Sequence, residues 1–245
     1  MVSVFMKHQV LITLDVDWAP DFMINFVKDI LIENNVKATW FITHNSDYVK
    51  ELEKTDRFEL GIHPNFSNDS TQGNNAEDIL SNLKKIVPTA KSVRTHGLLQ
   101  STRILEKFHK YDLENDVSLF IPNSNSTPYY LKFAKLYRFP YFWEDAVNMM
   151  EDKTWSLPES LLQEDGLKIF NFHPLHVYFN FHNIEQYENF KVKNGYKFSD
   201  KSAVDAFINK NSNGAQTFFK DLVSALSNEQ ASYTIQEVRT KIFNS

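Results

Sequence analysis

An α/β fold, in which parallel strands are joined by helical crossovers, is what these 245 residues predict. Short apolar runs rich in β-branched and aromatic residues alternate with segments of helical period. Acids, imidazoles and one guanidinium collect where the apolar runs end. Crossovers between parallel strands are right-handed, which leaves an open doubly wound sheet or a (β/α) barrel, and in both the chemistry gathers at strand C-termini.

The first run, "QVLITLDVD", is too short for a helix and reads as a buried strand. Phe22, Phe26, Val27, Ile30 and Leu31 then recur at helical spacing, with Asp21 placed to cap the start and "ENN" closing the end. "KATWFIT" is strand-like, "SDYVKELEK" helical, "RFELGIHP" strand-like, and "NAEDILSNLKKIV" a helix stopped by Pro88. "KSVRTHG" and "STRILEKFHKY" continue the alternation. "VSLFIP" and "LYRFPYFW" are later short strands, and "GLKIFNFHPLHVYFN" is the most hydrophobic late strand. From about 181 to 214 the chain is polar and weakly periodic, a surface excursion before a helical tail. With 42% hydrophobic and 14% aromatic residues, the length suits one core, and residues 1–245 read as a single domain.

Composition narrows the chemistry. Twenty-six Lys and Arg against 31 Asp and Glu give a net charge of -5 with no basic stripe, so nucleic acid is not an expected partner. Zero cysteines leave His, Asp, Glu or Asn as the only metal donors. No window is apolar enough for a membrane span, and the N-terminus lacks a cleavable leader pattern, so a cytoplasmic location is expected.

The strand ends carry Asp15 and Asp17, His44 and Asn45, His63, Arg94 and His96, then His173 and His176. Residues i and i+2 of a strand share a face, which pairs Asp15 with Asp17 and Arg94 with His96. Two nearby carboxylates repel unless a cation intervenes. A divalent metal on Asp17 and His63 would leave Asp15 as a base with its charge held by Arg94, which is the division of labour of metal-assisted hydrolysis. An Asp-x-Asp strand end is also a common helix-capping device, His96 is as readily a structural histidine as a ligand, and for His44, Asn45 and His176 a structural role is favoured.

Taken together and in order, these segments resemble the polysaccharide deacetylase family, the NodB-type carbohydrate esterases. "TLDVD" is similar to the Thr-Phe-Asp-Asp strand end, "KATWFIT" to the second strand, and "ELGIHPNF" to the Glu-x-Gly-x-His segment. "RTHG" is similar to Arg-x-Pro-x-Gly and "IFNFH" to the last Leu-x-His strand. The resemblance implies a distorted (β/α) barrel that removes an acetyl group from an N-acetylated sugar. It implies Asp15 as catalytic base, Asp17 and His63 as metal ligands, Arg94 as the support of the base and His173 as general acid. Asp145, in "FWED", falls where an acid orients that histidine beside a tryptophan lining the site. The family repeats its metal histidine four residues on, where this chain has Ser67. His96 is preferred as the third ligand on donor chemistry, with Asn65 and His176 as alternatives, and "HPLH" leaves open whether His173 or His176 is the acid. Zinc is the expected ion. The expected substrate is a cytoplasmic nucleotide-linked or lipid-linked precursor of surface polysaccharide, with a non-sugar amide or non-catalytic glycan binding as the competing functions.

Overall fold

The computed structural model describes residues 9–158, 164–195, 201–229 and 232–243. Nine strands form one sheet: β1 (Gln9–Asp15), β2 (Ala38–Ile42), β3 (Phe58–Ile62), β4 (Ser92–Val93), β5 (Asn115–Asp116), β6 (Tyr129–Leu131), β7 (Leu136–Arg138), β8 (Trp143–Glu144) and β9 (Leu167–Phe172). Their order is β6-β7-β5-β4-β3-β2-β1-β9-β8, parallel throughout except for the antiparallel edge pair β6 and β7. Right-handed twist curls the sheet into a half-barrel, and inward side chains from β1, β2 and β9 (Leu11, Phe41, Leu167 and Ile169) meet in one cluster with Val117, Phe139 and Tyr141.

β1 and β9 are buried along their whole length because both of their faces are covered. Leu11, Thr13 and Asp15 point inward, while Val10, Ile12 and Leu14 pack outward against helices. The outer layer begins with α1 (Asp21–Glu33), α2 (Asp47–Leu52), α3 (Ala76–Ile86), α4 (Thr102–Phe108) and α5 (Asp145–Met150). It continues with α6 (Pro174–Phe179), α7 (Ile184–Asn194), α8 (Lys201–Val204), α9 (Ala215–Glu229) and α10 (Ile235–Phe243). Ser46, Asn75, Ser101 and Asn183 cap α2, α3, α4 and α7 by accepting from backbone N–H groups three residues on, which fixes where those loops turn into helices. No described helix is long and apolar enough to cross a membrane.

The strands and helices expected up to α3 are present, and the assignments slip after it. Pro20 precedes α1 and Asp21 is its first helical residue, so Asp21 complements the helix dipole without capping it. The strand read into "VSLFIP" lies earlier, at Asn115–Asp116, and "LYRFPYFW" is divided between β7 and β8. The late strand stops at Phe172, after which His173 stands at the N-cap position of α6 without a side-chain cap and Pro174 takes the first helical position, where its missing N–H costs nothing. The polar excursion is helical in α7 and α8; residues 196–200 within it lie outside the described residues. The tail is helical, as α9 and α10. Ile235 and Val238 of α10 pack beneath the inner cluster, at the end of the sheet opposite the strand C-termini.

Candidate active site

Three layers of inward side chains lie between that cluster and the open rim. In the first, Thr13 of β1 stands in register with Asn171 of β9. The Arg94 guanidinium lies between the Phe41 ring at 4.7 Å and the Tyr141 ring at 4.4 Å, fully buried, and its Nε donates to the Val117 carbonyl at 3.0 Å. Its Nη1 donates to Thr13 Oγ1 at 2.9 Å, to Asn171 Oδ1, and to Asp15 Oδ1 at 3.1 Å. The other oxygen, Asp15 Oδ2, accepts from Asn171 Nδ2 at 2.8 Å. Arg94 follows β4, so its reach to β1 and β9 depends on the curl of the sheet. Gly61 in β3 permits the close packing, since a Cβ there would meet the Ser92 carbonyl at 2.6 Å and the Phe41 ring at 2.9 Å.

The second layer is Asp17, His63 and His96. β1 ends at Asp15, and Asp17 and Trp18 both adopt left-handed backbone, with φ of 44° and 56°. Each left-handed non-glycine residue costs on the order of 1–2 kcal/mol. The turn is held by Ala19 N–H on the Val16 carbonyl at 2.8 Å and by Trp18 N–H on Thr43 Oγ1 at 3.0 Å. Asp17 therefore reaches the site through this turn, beyond the end of β1, and not by sharing a strand face with Asp15 as its spacing predicts. Asp17 Oδ1 lies 3.1 Å from His63 Nε2 and 3.1 Å from His96 Nδ1, and those two nitrogens are 3.3 Å apart. Ligands about 2.0–2.1 Å from a tetrahedral ion are separated by about 3.3 Å, so this donor triangle fits one face of such a site. Burial would raise the Asp17 carboxyl, but hydrogen bonds from His63 and His96 and the charges of His63 and His173 hold it well below the ordinary range. The contact with Asp17 raises His96 against its own partial burial.

The third layer is an imidazole held by an acid. His173 Nδ1 is 2.6 Å from Asp145 Oδ1, and the His173 backbone N–H donates to Asp145 Oδ2 at 2.8 Å. Both contacts fix the ring, whose Nε2 faces inward at 3.6 Å from Asp17 Oδ2 and 4.0 Å from Asp15 Oδ2. Burial disfavours the imidazolium, yet the charges of Asp145, Asp17 and Asp15 prevail and push His173 well above its ordinary value. Asp145 is fully buried and held below the ordinary range; burial opposes this, and His176 and His173 outweigh it.

All seven residues singled out from the sequence thus lie at one rim: Asp15, Asp17, His63, Arg94, His96, Asp145 and His173. The two alternatives for a third donor do not join the triangle of Asp17, His63 and His96. Asn65 Oδ1 accepts from the Ser67 N–H at 3.0 Å and from the Ser67 hydroxyl at 2.6 Å, closing its own turn. His176 Nδ1 lies 3.1 Å from Asp145 Oδ1, and its ring packs against Phe181 and Tyr187. Trp143, expected to line the site, stacks on Phe218 at 4.6 Å in the outer core. Asn171 and Thr13 were missed. The signal available for Asn171 was an amide at an inward position of the most hydrophobic late strand, where the resemblance carries leucine.

Comparison with known proteins places the chain in a family. Residues 12–191 match the model of a family described as WbmS-like polysaccharide deacetylase. The crystal structure of WbmS from Bordetella bronchiseptica, assigned as a polysaccharide deacetylase involved in O-antigen biosynthesis, is similar at a TM-score of 0.81 and 29% identity over 90% of this chain and 91% of that one. A structure assigned as a polysaccharide deacetylase from Mycobacterium smegmatis shares the fold at a TM-score of 0.60 and 12% identity, over 97% of this chain and 91% of that one. A search of curated proteins finds no match. With the family model spanning most of its length and the motif residues gathered at the C-terminal rim of the half-barrel, this chain belongs to the WbmS-like polysaccharide deacetylases.

Proposed function

We propose that the chain is a metal-dependent deacetylase that removes the N-acetyl group of an amino sugar, a precursor in surface polysaccharide synthesis. The observation that carries this reading is the donor triangle of Asp17, His63 and His96, flanked by Asp15 on one side and by His173 on the other. Family membership and the likeness to the O-antigen protein support the carbohydrate substrate. In this reading Asp17 Oδ1, His63 Nε2 and His96 Nδ1 hold a divalent ion, and the two imidazoles favour zinc. When bound, the ion supplies Lewis-acid polarisation of the acyl carbonyl and of water.

The remaining roles belong to the chain. Asp15 takes the proton of the attacking water, and the Arg94 guanidinium, donating to its Oδ1, orients the carboxylate for that step. His173 carries a proton on Nε2, because its neighbouring carboxylates hold it in the charged form, and gives that proton to the departing amine. Asp145 accepts at Nδ1, which fixes the ring and leaves Nε2 to face the leaving group. The stacked rings of Phe41 and Tyr141 exclude water from behind Arg94, so its charge acts on Asp15 at short range in a dry setting.

Metal analysis of the purified protein, paired with acetate release from a panel of N-acetylated sugars, nucleotide sugars and simple amides, tests the reading. The expected result is one ion per chain and acetate release from the sugars that chelation abolishes and zinc restores. Absence of a bound ion after reconstitution would overturn it. Release from amides alone would move the substrate to the non-sugar class, and glycan binding without release would favour a binding protein.

A further inference from the structure

We propose that Asn171 is a second positioning residue for the base, holding the Asp15 oxygen that Arg94 leaves free; the inference rests on reading Asp15 as that base. Arg94 reaches Asp15 through Nη1 alone, at 3.1 Å from Oδ1, and the same Nη1 serves Thr13 and Asn171. Its Nη2 is buried without a hydrogen-bond partner among the described residues. The pair is therefore not the two-pronged fork by which arginine fixes both oxygens of a carboxylate. Torsion about the terminal bond of aspartate is soft, so a carboxylate gripped at one oxygen can swing. Asn171 Nδ2 supplies the missing grip on Oδ2 at 2.8 Å.

The amide is itself held in that orientation. Asn171 is fully buried, and its Oδ1 accepts from Thr13 Oγ1 at 3.0 Å and from Arg94 Nη1. Two donors converging on one end of the amide identify that end as the oxygen, which turns the NH2 toward Asp15. Thr13 and Asn171 stand side by side in the β1 and β9 register, so the arrangement is built on paired central strands with no loop involved. A leucine at position 171 would fill the space and donate nothing. An amide buried here costs free energy unless it is paired, and each of its contacts is directed at the base or at the groups that hold the base.

The test compares Asn171→Leu and Asn171→Ser with Asp15→Asn, each reconstituted with zinc and assayed on the acetylated sugar that the wild type turns over best. The expected result is a kcat about 10–100-fold lower with KM changed by less than about twofold, since displacing a reacting group costs rate without removing substrate contacts. Metal content is expected to match the wild type. Adding Asn171→Ser to Asp15→Asn should lower the residual rate no further, because the amide acts only through that carboxylate. Should Asn171→Leu fail to fold, Asn171→Ser carries the comparison. An unchanged kcat, a loss that tracks metal content, a rise confined to KM, or a further loss in the Asp15→Asn background would each overturn the inference. A fully active Asp15→Asn protein would instead remove the base assignment itself, whereas an inactive Asp15→Asn beside a fully active Asn171→Ser would remove only the role of Asn171.

Discussion

The two ends of the inner sheet face are built from the same strands and bury polar groups for different ends. At the lower end, Glu59 of β3 accepts from Thr39 Oγ1 at 3.0 Å, from Ser92 Oγ and from the Gln236 N–H at 2.9 Å. Thr39 Oγ1 in turn accepts from the Ile235 N–H at 3.1 Å, and Asn115 Nδ2 donates to Gln236 Oε1 at 2.7 Å. The first two backbone donors of α10 are thereby satisfied by sheet side chains, and the helix seals the barrel floor. At the upper rim the polar groups turn toward one another: two carboxylates and three imidazoles stand 3.1–4.0 Å from their neighbours. Complementary donors and acceptors mark a structural end. Convergent carboxylates and imidazoles, with Asp17 held on a left-handed turn, mark a chemical one.

Substitutions at the rim should change chemistry and those at the floor should change stability. Asp17→Ala and His63→Ala are expected to have the largest effect, losing the metal and all turnover together, as read by metal content after dialysis. Asp15→Asn should keep the metal and lose about 10²–10⁴ in kcat, the usual span for a general base. Equal metal loss in Asp15→Asn and Asp17→Ala would erase the distinction between their roles. Asp145→Asn should cost about 10–100-fold in kcat, in keeping with the partner that orients a working histidine. It should also move the alkaline limb of the kcat/KM profile to lower pH. The sign follows from the folded state: the charge of Asp145 raises His173, so without it the acid form is lost at a lower pH.

The smallest effects belong to the floor. Glu59→Ala should leave metal content and kcat intact and destabilise the fold by about 1–3 kcal/mol, the cost of buried donors left unpaired. Burial raises the Glu59 carboxyl above its unfolded value, against the hydrogen bonds that lower it. Its contribution to stability is complete below the ordinary glutamate range and fades as pH rises through the raised folded value. Glu59→Gln should flatten that segment of the stability curve measured by denaturant titration. A kcat change in either Glu59 variant would show that floor and rim are coupled.

The first half of the fold was legible because its elements are long and strictly periodic, with β1, α1, β2, β3 and α3 each closed by a capping or turn residue. The stretch after α3 was not, because β4, β5 and β8 are two residues each and their pairing is decided by neighbours far away in sequence. His173 and Pro174 show the same limit at one point: an apolar run continues through them, but the strand ends and a helix begins where proline removes a ladder donor. Among the site residues, Asp15, His63, Arg94, Asp145 and His173 stood out by motif and order. His96 stood out by donor chemistry and by its two-residue spacing from Arg94, whereas Asn171 matched no motif.

By itself the sequence determined the strand and helix alternation, the absence of thiolate chemistry, and which acids and imidazoles end which strands, since these follow from residue type and spacing. Only the tertiary structure decided how they meet. The curl of the sheet carries Arg94 across to β1 and β9, the left-handed turn aims Asp17 at His63 and His96, and the β1 and β9 register sets Asn171 beside Thr13. Each of these depends on contacts between segments far apart in the chain, and side-chain period within one segment carries no information about them.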